Sequence, residues 1–386
     1  MLKHCRICGE PLGEPVLSAP GPSLTSVTTM IDMPTVFHVC GACGHGQSPD
    51  LPDLLSFYDN QYQISLVTDD HDQLYEMRDG RPVYRNQHQA AVVEAVAKPK
   101  DGALVLDFGA AKAASLRMIC ENRKDIKPFV FDVSNDYRAH WDEWLPRDAQ
   151  AAHDTPAAWE GRFDLITAHF VMEHVSDPVA LLRRMGSLLA DDGRVFFSVP
   201  NPLENAGDVL VGEHLSSFTE ASLHRLAQAA GMIIERIDSA AIRAAFVVIA
   251  RRKTADDANA DEGAFNILQD VAALERVASD WSGAISRVKT KAADLNGAAA
   301  IYGAGFYGCY IRTQLEGVTP VRCFIDSNPH EQGREKLGTP VLAPDALPQD
   351  VGTVFVGLNP TIARRVIAEW LASTGRSDLD LVFLAD

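Results

Sequence analysis

The chain has 386 residues, 46% of them hydrophobic, and carries a net charge of −17 at neutral pH. That length supplies two or three domains, each with its own buried core, and the composition is that of a folded globular protein. The negative charge weighs against nucleic acid as a partner, because phosphate binding needs a basic stripe. No apolar run of about 18 residues is present, and Met1 to Gly9 lacks a signal-type apolar segment. The expectation is a cytoplasmic protein with neither nucleic acid nor membrane as partner, its oligomeric state left open.

The first recognisable unit is a pair of cysteine turns, Cys5-x2-Cys8 and Cys40-x2-Cys43, each followed by glycine. Two such turns aim four thiolates at one tetrahedral ion, and the intervening residues 9–39 form an ordinary closure for a zinc site. Four protein ligands leave no open coordination position, so the expected Zn2+ is structural. Only Cys120, Cys309 and Cys323 lie outside these pairs, which points to a reducing compartment rather than a disulfide framework.

A Tyr- and Asp-rich segment, Phe57 to Tyr62, follows. Apolar spacing at Ala90, Val93 and Ala97 predicts a helix over 85–97, stopped by Lys98-Pro99. Strand and helix patterns then alternate: strand 103–107, helix 113–121, strand 128–132, and strands 163–167, 194–199 and 246–250. This is the pattern of a doubly wound parallel sheet. The polar stretch 251–263 breaks it and marks a boundary. Beyond it, residues 265–294 have helical periodicity, and strands near 299–302 and 321–326 open a second Rossmann-like sheet. The expected domains are 1–70 (zinc module and substrate-facing segment), 71–253 and 254–386.

In open α/β sheets ligands sit outside the carboxyl ends of the strands. Asp107 and Gly109 end the first strand of the middle domain, Asp132 ends the second, and Asp154 stands where a third should end. Glycine lets backbone approach a ligand, and an acid at 132 is placed to accept from ribose hydroxyls. Either S-adenosylmethionine (SAM) or a nicotinamide dinucleotide satisfies that pattern.

The segments Val105 to Gly109, Phe131-Asp132, 163–178 (with Glu173-His174 and Asp177-Pro178) and 188–200 resemble the class I SAM-dependent methyltransferases. The resemblance implies SAM as cofactor, with Asp107 and Gly109 at its methionine end, Asp132 on the ribose, Asp154 near adenine, and His169 and Phe170 flanking the sulfonium. One departure is visible: the family's second glycine, two places after the first, is replaced by Ala111 within Ala110-Ala111-Lys112-Ala113.

Taken as a whole, the chain is similar to the zinc-containing sugar-nucleotide C-methyltransferases of deoxysugar biosynthesis. Gly212-Glu213-His214-Leu215 resembles that family's active-site run, and Asp326 to Gly333 its C-terminal signature. The similarity implies a nucleotide-linked sugar as substrate, His214 as general base, Glu213 orienting it or serving as base, and Tyr58 or Tyr62 stabilising an enolate. A histidine titrating near neutrality suits removal of a proton from a hydroxyl or from a carbon beside a ketone. The C-terminal Gly303-x-Gly305-x-x-Gly308 with Asp326 meets the dinucleotide fingerprint; the resemblance makes it the sugar-nucleotide side. O-methylation of a surface-glycan precursor, an NAD-dependent sugar oxidoreductase and a catalytically silent binding protein are the alternatives.

Overall fold

The computed structural model describes residues 2–52, 74–259, 265–295, 297–376 and 378–385. Tyr58 and Tyr62 lie outside these described residues. The chain divides into two compact units: residues 1–12, 40–205 and 215–271 make the first, and 13–39, 206–214 and 272–386 the second.

The first unit is built on a seven-stranded sheet. Helix α1 (Arg85–Val92) runs into a π-turn, Val93–Ala97, and ends at Lys98 in a left-handed conformation, just before Pro99. Then follow β1 (Leu104–Phe108), α2 (Ala114–Asn122), β2 (Lys127–Asp132), β3 (Gln150–Ala152), β4 (Phe163–His169), α3 (Pro178–Leu188), β5 (Leu189–Pro200), α4 (Glu220–Ala229), β6 (Met232–Asp238) and β7 (Ala245–Arg252). The spatial order is β3-β2-β1-β4-β5-β7-β6. All pairings up to β5 are parallel, and β7 alone is reversed, antiparallel to both β5 and β6. The chain steps outward from β1 to β3 and returns at β4, so the topological switch point, where such sheets bind ligands, lies between the carboxyl ends of β1 and β4.

Both faces of this sheet are buried, as a mostly parallel sheet requires. Leu106, Phe108, Ile166, Ala168, Phe197 and Val248 face α3 and α4, in a core shared with Cys5, Ile7, Cys40 and Cys43. Val105, Leu165, Phe196, Val247 and Ile249 face the other way, onto Val92 of α1 and Leu116 and Ile119 of α2. Burying one such side chain contributes roughly 1.5–3 kcal/mol.

Helix α5 (Ile267–Ala293), which enters the second unit at residue 272, precedes β8 (Ala299–Tyr302), α6 (Phe306–Leu315), β9 (Val321–Ile325), β10 (Glu335–Lys336), β11 (Thr339–Leu342), β12 (Thr353–Val356), α7 (Pro360–Thr374) and β13 (Asp380–Phe383) of that unit. Its sheet order is β10-β11-β9-β8-β12-β13, with β10 antiparallel to β11 and the other pairs parallel. The buried positions Leu274, Ala278, Trp281, Ile285 and Val288 of α5 match the expected stripe and pack on Ile301, Phe324 and Phe355. Residues 13–39 join that core through Leu17, Leu24 and Phe37. They pair Leu17–Ala19 with Thr35–Val39 in antiparallel register. Among the described residues no helix is long and apolar enough to cross a membrane.

Candidate functional site

The two cysteine turns share one hydrogen-bond scheme. Cys5 N donates to Glu10 O and Gly9 N to Cys5 O; Cys40 N donates to His45 O and Gly44 N to Cys40 O. Gly9 and Gly44 close the turns at φ 76° and 71°, where a side chain would be strained. Cys5 Sγ lies 3.7 Å from Cys43 Sγ and Cys8 Sγ 3.5 Å from Cys40 Sγ, and all four sulfurs are within 4.8 Å of one another. A tetrahedral zinc with Zn–S near 2.3 Å sets sulfurs about 3.8 Å apart, so the cluster fits that ion. Hydrogen bonding to Cys40 and then burial push the Cys5 thiol up to about 12. A cation is what lets such a cluster hold several thiolates together.

At the carboxyl end of β1, Asp107 is buried and accepts from Thr167 Oγ1 at 2.8 Å. Burial raises its carboxyl to about 7 despite that bond. Gly109, at φ 73°, donates to Phe131 O at 2.8 Å, and a Cβ there would fall 2.6 Å from Val171 Cγ2. Asp132 at the tip of β2 is buried, which raises its pKa; its carboxylate accepts from Ala111 N at 2.8 Å and Ser134 N at 3.1 Å. A carboxylate has about four acceptor sites, so capacity remains for ribose hydroxyls. Ala111, in the place of the family's second glycine, adopts φ 46°, and Ala113 adopts φ 56°. The backbone therefore keeps the path a glycine would favour, at a cost of roughly 1–2 kcal/mol per residue.

Asp154 lies exposed two residues beyond β3. His169 ends β4, half-buried, and desolvation followed by the Arg85 guanidinium holds its imidazole down at about 3, so it is neutral at physiological pH. Phe170 is left-handed at φ 56°, held by its N–H to Ser198 O. The donor set suits SAM: buried acids for an ammonium group and ribose hydroxyls, and an aromatic ring with a neutral imidazole where a sulfonium is expected.

In the second unit, Asp208 Oδ1 lies 2.6 Å from His214 Nδ1, and the Asp208 side chain is fully buried. The 3-10 turn Ala206–Leu210 carries the aspartate, and His214 N donates to Val211 O to close the run. Sequence reasoning missed Asp208; its only signal was an acid six residues before the histidine. Glu213, also buried, accepts from Ser26 N at 2.7 Å, which ties it to the 13–39 segment.

Gly303 directly follows β8, adopts φ 96° and donates to Ile325 O. Asp326 accepts from Ala304 N at 2.7 Å and Asn328 N at 2.8 Å. Three glycines here are required by packing: a Cβ on Gly303 would lie 2.6 Å from Gly357 O, one on Gly308 1.8 Å from Gly303 O, and one on Gly357 2.3 Å from Gly308 Cα. Around Gly305 nothing lies within 4 Å of such a Cβ.

Residues 81–236 match the family described as methyltransferase domain. Among curated relatives, the ubiquinone biosynthesis O-methyltransferase of Xanthomonas campestris pv. campestris (strain B100) is 29% identical over 130 residues, 32% of this chain and 54% of the relative. That of Neisseria meningitidis serogroup C (strain 053442) is 38% identical over 64 residues, 16% and 27% of the two chains. The matched segments thus span 27% and 54% of the length of these relatives. A solved S-adenosylmethionine-dependent methyltransferase from Mesorhizobium loti aligns with a TM-score of 0.34 at 16% identity, covering 43% of this chain and all of that one. The family match gives the chain a methyltransferase domain at residues 81–236, which fall in the first unit except for 206–214.

Proposed function

We propose that this protein methylates a nucleotide-linked sugar at carbon, through an enolate formed beside a ketone, with His214 as the general base. The observation that supports this reading best is the buried Asp208 on His214 Nδ1. By accepting the Nδ1 proton it fixes the tautomer in which Nε2 is the basic nitrogen, and it stabilises the imidazolium once a proton is taken. In the proposed step Nε2 takes a proton from the carbon α to the carbonyl, and the electron pair moves to the carbonyl oxygen. When bound, SAM supplies an electrophilic methyl whose departure leaves a neutral thioether. Asp107, Gly109 and Asp132 hold its methionine end and ribose in this reading, and His169 and Phe170 keep water from the sulfonium. The four cysteines hold a structural zinc, and the Gly303 to Gly308 turn with Asp326 serves the sugar-nucleotide side.

A second reading has its own support. The curated relatives are O-methyltransferases, and methylation of a sugar hydroxyl needs the same base and no enolate. The decisive experiment uses a nucleotide 4-ketosugar in deuterated water without SAM. Carbon chemistry predicts exchange of the α-hydrogen catalysed by the protein; absence of exchange, with turnover on a hydroxyl acceptor, selects O-methylation. His214→Ala is expected to lower turnover by roughly 10²–10⁴-fold while S-adenosylhomocysteine (SAH) still binds. Retained turnover removes His214 as the base.

A further inference from the structure

A cavity of about 210 Å³ lies in the first unit, lined by Tyr75, Arg85, His88, Gln89, Phe170 and Arg243 among others. It is assembled at the ligand-binding end of the sheet. Phe170 directly follows β4, and Arg243 sits in the link between β6 and β7, whose far end, Ala245, pairs with Pro200 at the carboxyl end of β5. Tyr75 comes from the hairpin Leu74–Arg78/Arg81–Tyr84 and Arg85 opens α1.

Two guanidiniums line this cavity, each packed over an aromatic ring. The Arg85 guanidinium lies 4.7 Å over the Phe170 ring and that of Arg243 5.3 Å over the Tyr75 ring. Arg117, Arg194 and Arg251 each meet a carboxylate; Arg85 and Arg243 have none among the described residues, in a chain with 52 acids and 35 bases. Two cations seated on rings beside a cavity, with no counter-ion among the described residues, are what an oxyanion site needs. The frame is fixed in advance. Tyr75 stacks on His88 with centroids 3.9 Å apart, Tyr75 OH accepts from Arg243 N at 2.8 Å, and His88 Nε2 donates to Ala241 O at 2.8 Å. The volume is below the roughly 300 Å³ of a whole-ligand pocket, so it takes one group of a larger molecule.

We infer that this cavity is an oxyanion subsite that clamps a phosphate or diphosphate group of the methyl acceptor between Arg85 and Arg243. The inference rests on the methyltransferase reading, under which this end of the sheet faces the reacting groups. A nucleotide-linked sugar carries such a group; so does any phosphorylated acceptor. The carboxylate of the cofactor's methionine end is the other oxyanion that two guanidiniums would take, and the test separates the two sources.

The probe is inorganic pyrophosphate, titrated calorimetrically into the full-length protein with and without saturating SAH. Pyrophosphate is expected to bind in both conditions, to weaken about tenfold or more in Arg243→Gln and in Arg85→Gln, and to leave SAH affinity unchanged in Arg243→Gln. Arg243 is exposed, so its replacement leaves the fold intact, and Arg243→Lys, which keeps charge but loses the fork, is expected to fall between. Competition between pyrophosphate and SAH overturns the proposal and gives the cavity to the cofactor. Unchanged pyrophosphate binding in both glutamine variants, or none in the wild type, also overturns it. Failure of SAH to bind, with pyrophosphate binding intact, strikes the methyltransferase reading instead.

Discussion

The turns that follow β1 and β8 are built to one plan with different residues. In each, a glycine with positive φ donates to the carbonyl of the residue before an acid, Gly109 to Phe131 and Gly303 to Ile325. The acid then accepts from a loop amide, Asp132 from Ala111 and Asp326 from Ala304. The C-terminal turn has the complete glycine fingerprint, and the N-terminal one lacks its second glycine. Yet Gly303 and Gly308 are demanded by the protein's own backbone, whereas Ala111 occupies a left-handed conformation that nothing in its sequence announces. Glycine spacing therefore reports packing as readily as ligand approach. Of the fingerprint in the second unit, only Gly305 leaves open space, so the motif by itself is a weak argument for a dinucleotide there.

Substitutions in the two turns put that contrast to the test. Gly308→Ala is expected to have the largest effect. The added methyl would meet Gly303 O far inside contact distance, so the helix-propensity gain of about 1 kcal/mol is overwhelmed and the loss should reach roughly 4 kcal/mol, read as a shift in denaturation midpoint. Gly305→Ala should cost far less, and equal losses at the two positions would break the packing account. Gly109→Ala combines a left-handed backbone with a Val171 contact that a side chain can yield; a loss of about 2 kcal/mol is expected, together with weaker SAH binding by calorimetry.

Asp107, two places before Gly109, gives a pH signature; the matching position in the second turn is Ile301, which does not titrate. Burial lifts Asp107 from 3.8 to about 7, and a cofactor ammonium group pairs with the ionised form. SAH affinity is expected to be full above pH 7 and to fall toward tenfold per unit below it. The stability contribution has the opposite sign: a folded-state pKa above the unfolded one favours the fold at low pH, and that advantage is lost as pH rises from about 4 through 7. Asp107→Asn should flatten both profiles; a calorimetric titration unchanged between pH 6 and 8 would remove Asp107 from the cofactor. The smallest effect belongs to Ala111→Gly, which relieves the left-handed strain but adds unfolded-state freedom. A net gain of roughly 0.5–1 kcal/mol is expected, and a loss would mean that the alanine methyl is itself packed usefully.

Strands were legible at several apolar runs that end in glycine, proline or acid, as at 104–108, 127–132, 299–302 and 321–325, whereas β3 and β10 to β13 were not read. Strand β6 was missed too, because a register shift between Ile234 and Arg236 interrupts its alternation. The reversal of β7 follows from its short link to β6, a hairpin that the parallel reading did not include. Asp107, Gly109 and Asp132 could be read because strand tips fix their place. Asp208 could not, since a 3-10 turn rather than a strand end brings it to His214. The cavity was invisible for a stronger reason: its lining comes from four separated stretches, near 75, 85–89, 170 and 243, and no local pattern joins them.

The position of residues 13–39 sets a timetable for synthesis. Leu17, Leu24 and Phe37 are made early, but the α5 and β8 residues that bury them lie some 240 positions later, a wait of roughly 10–50 s at ordinary translation rates. Cys8 and Cys40 bracket that stretch. A metal captured by the nascent chain would close it into a loop before its partners exist, holding an apolar hairpin in reserve until the ribosome delivers the rest.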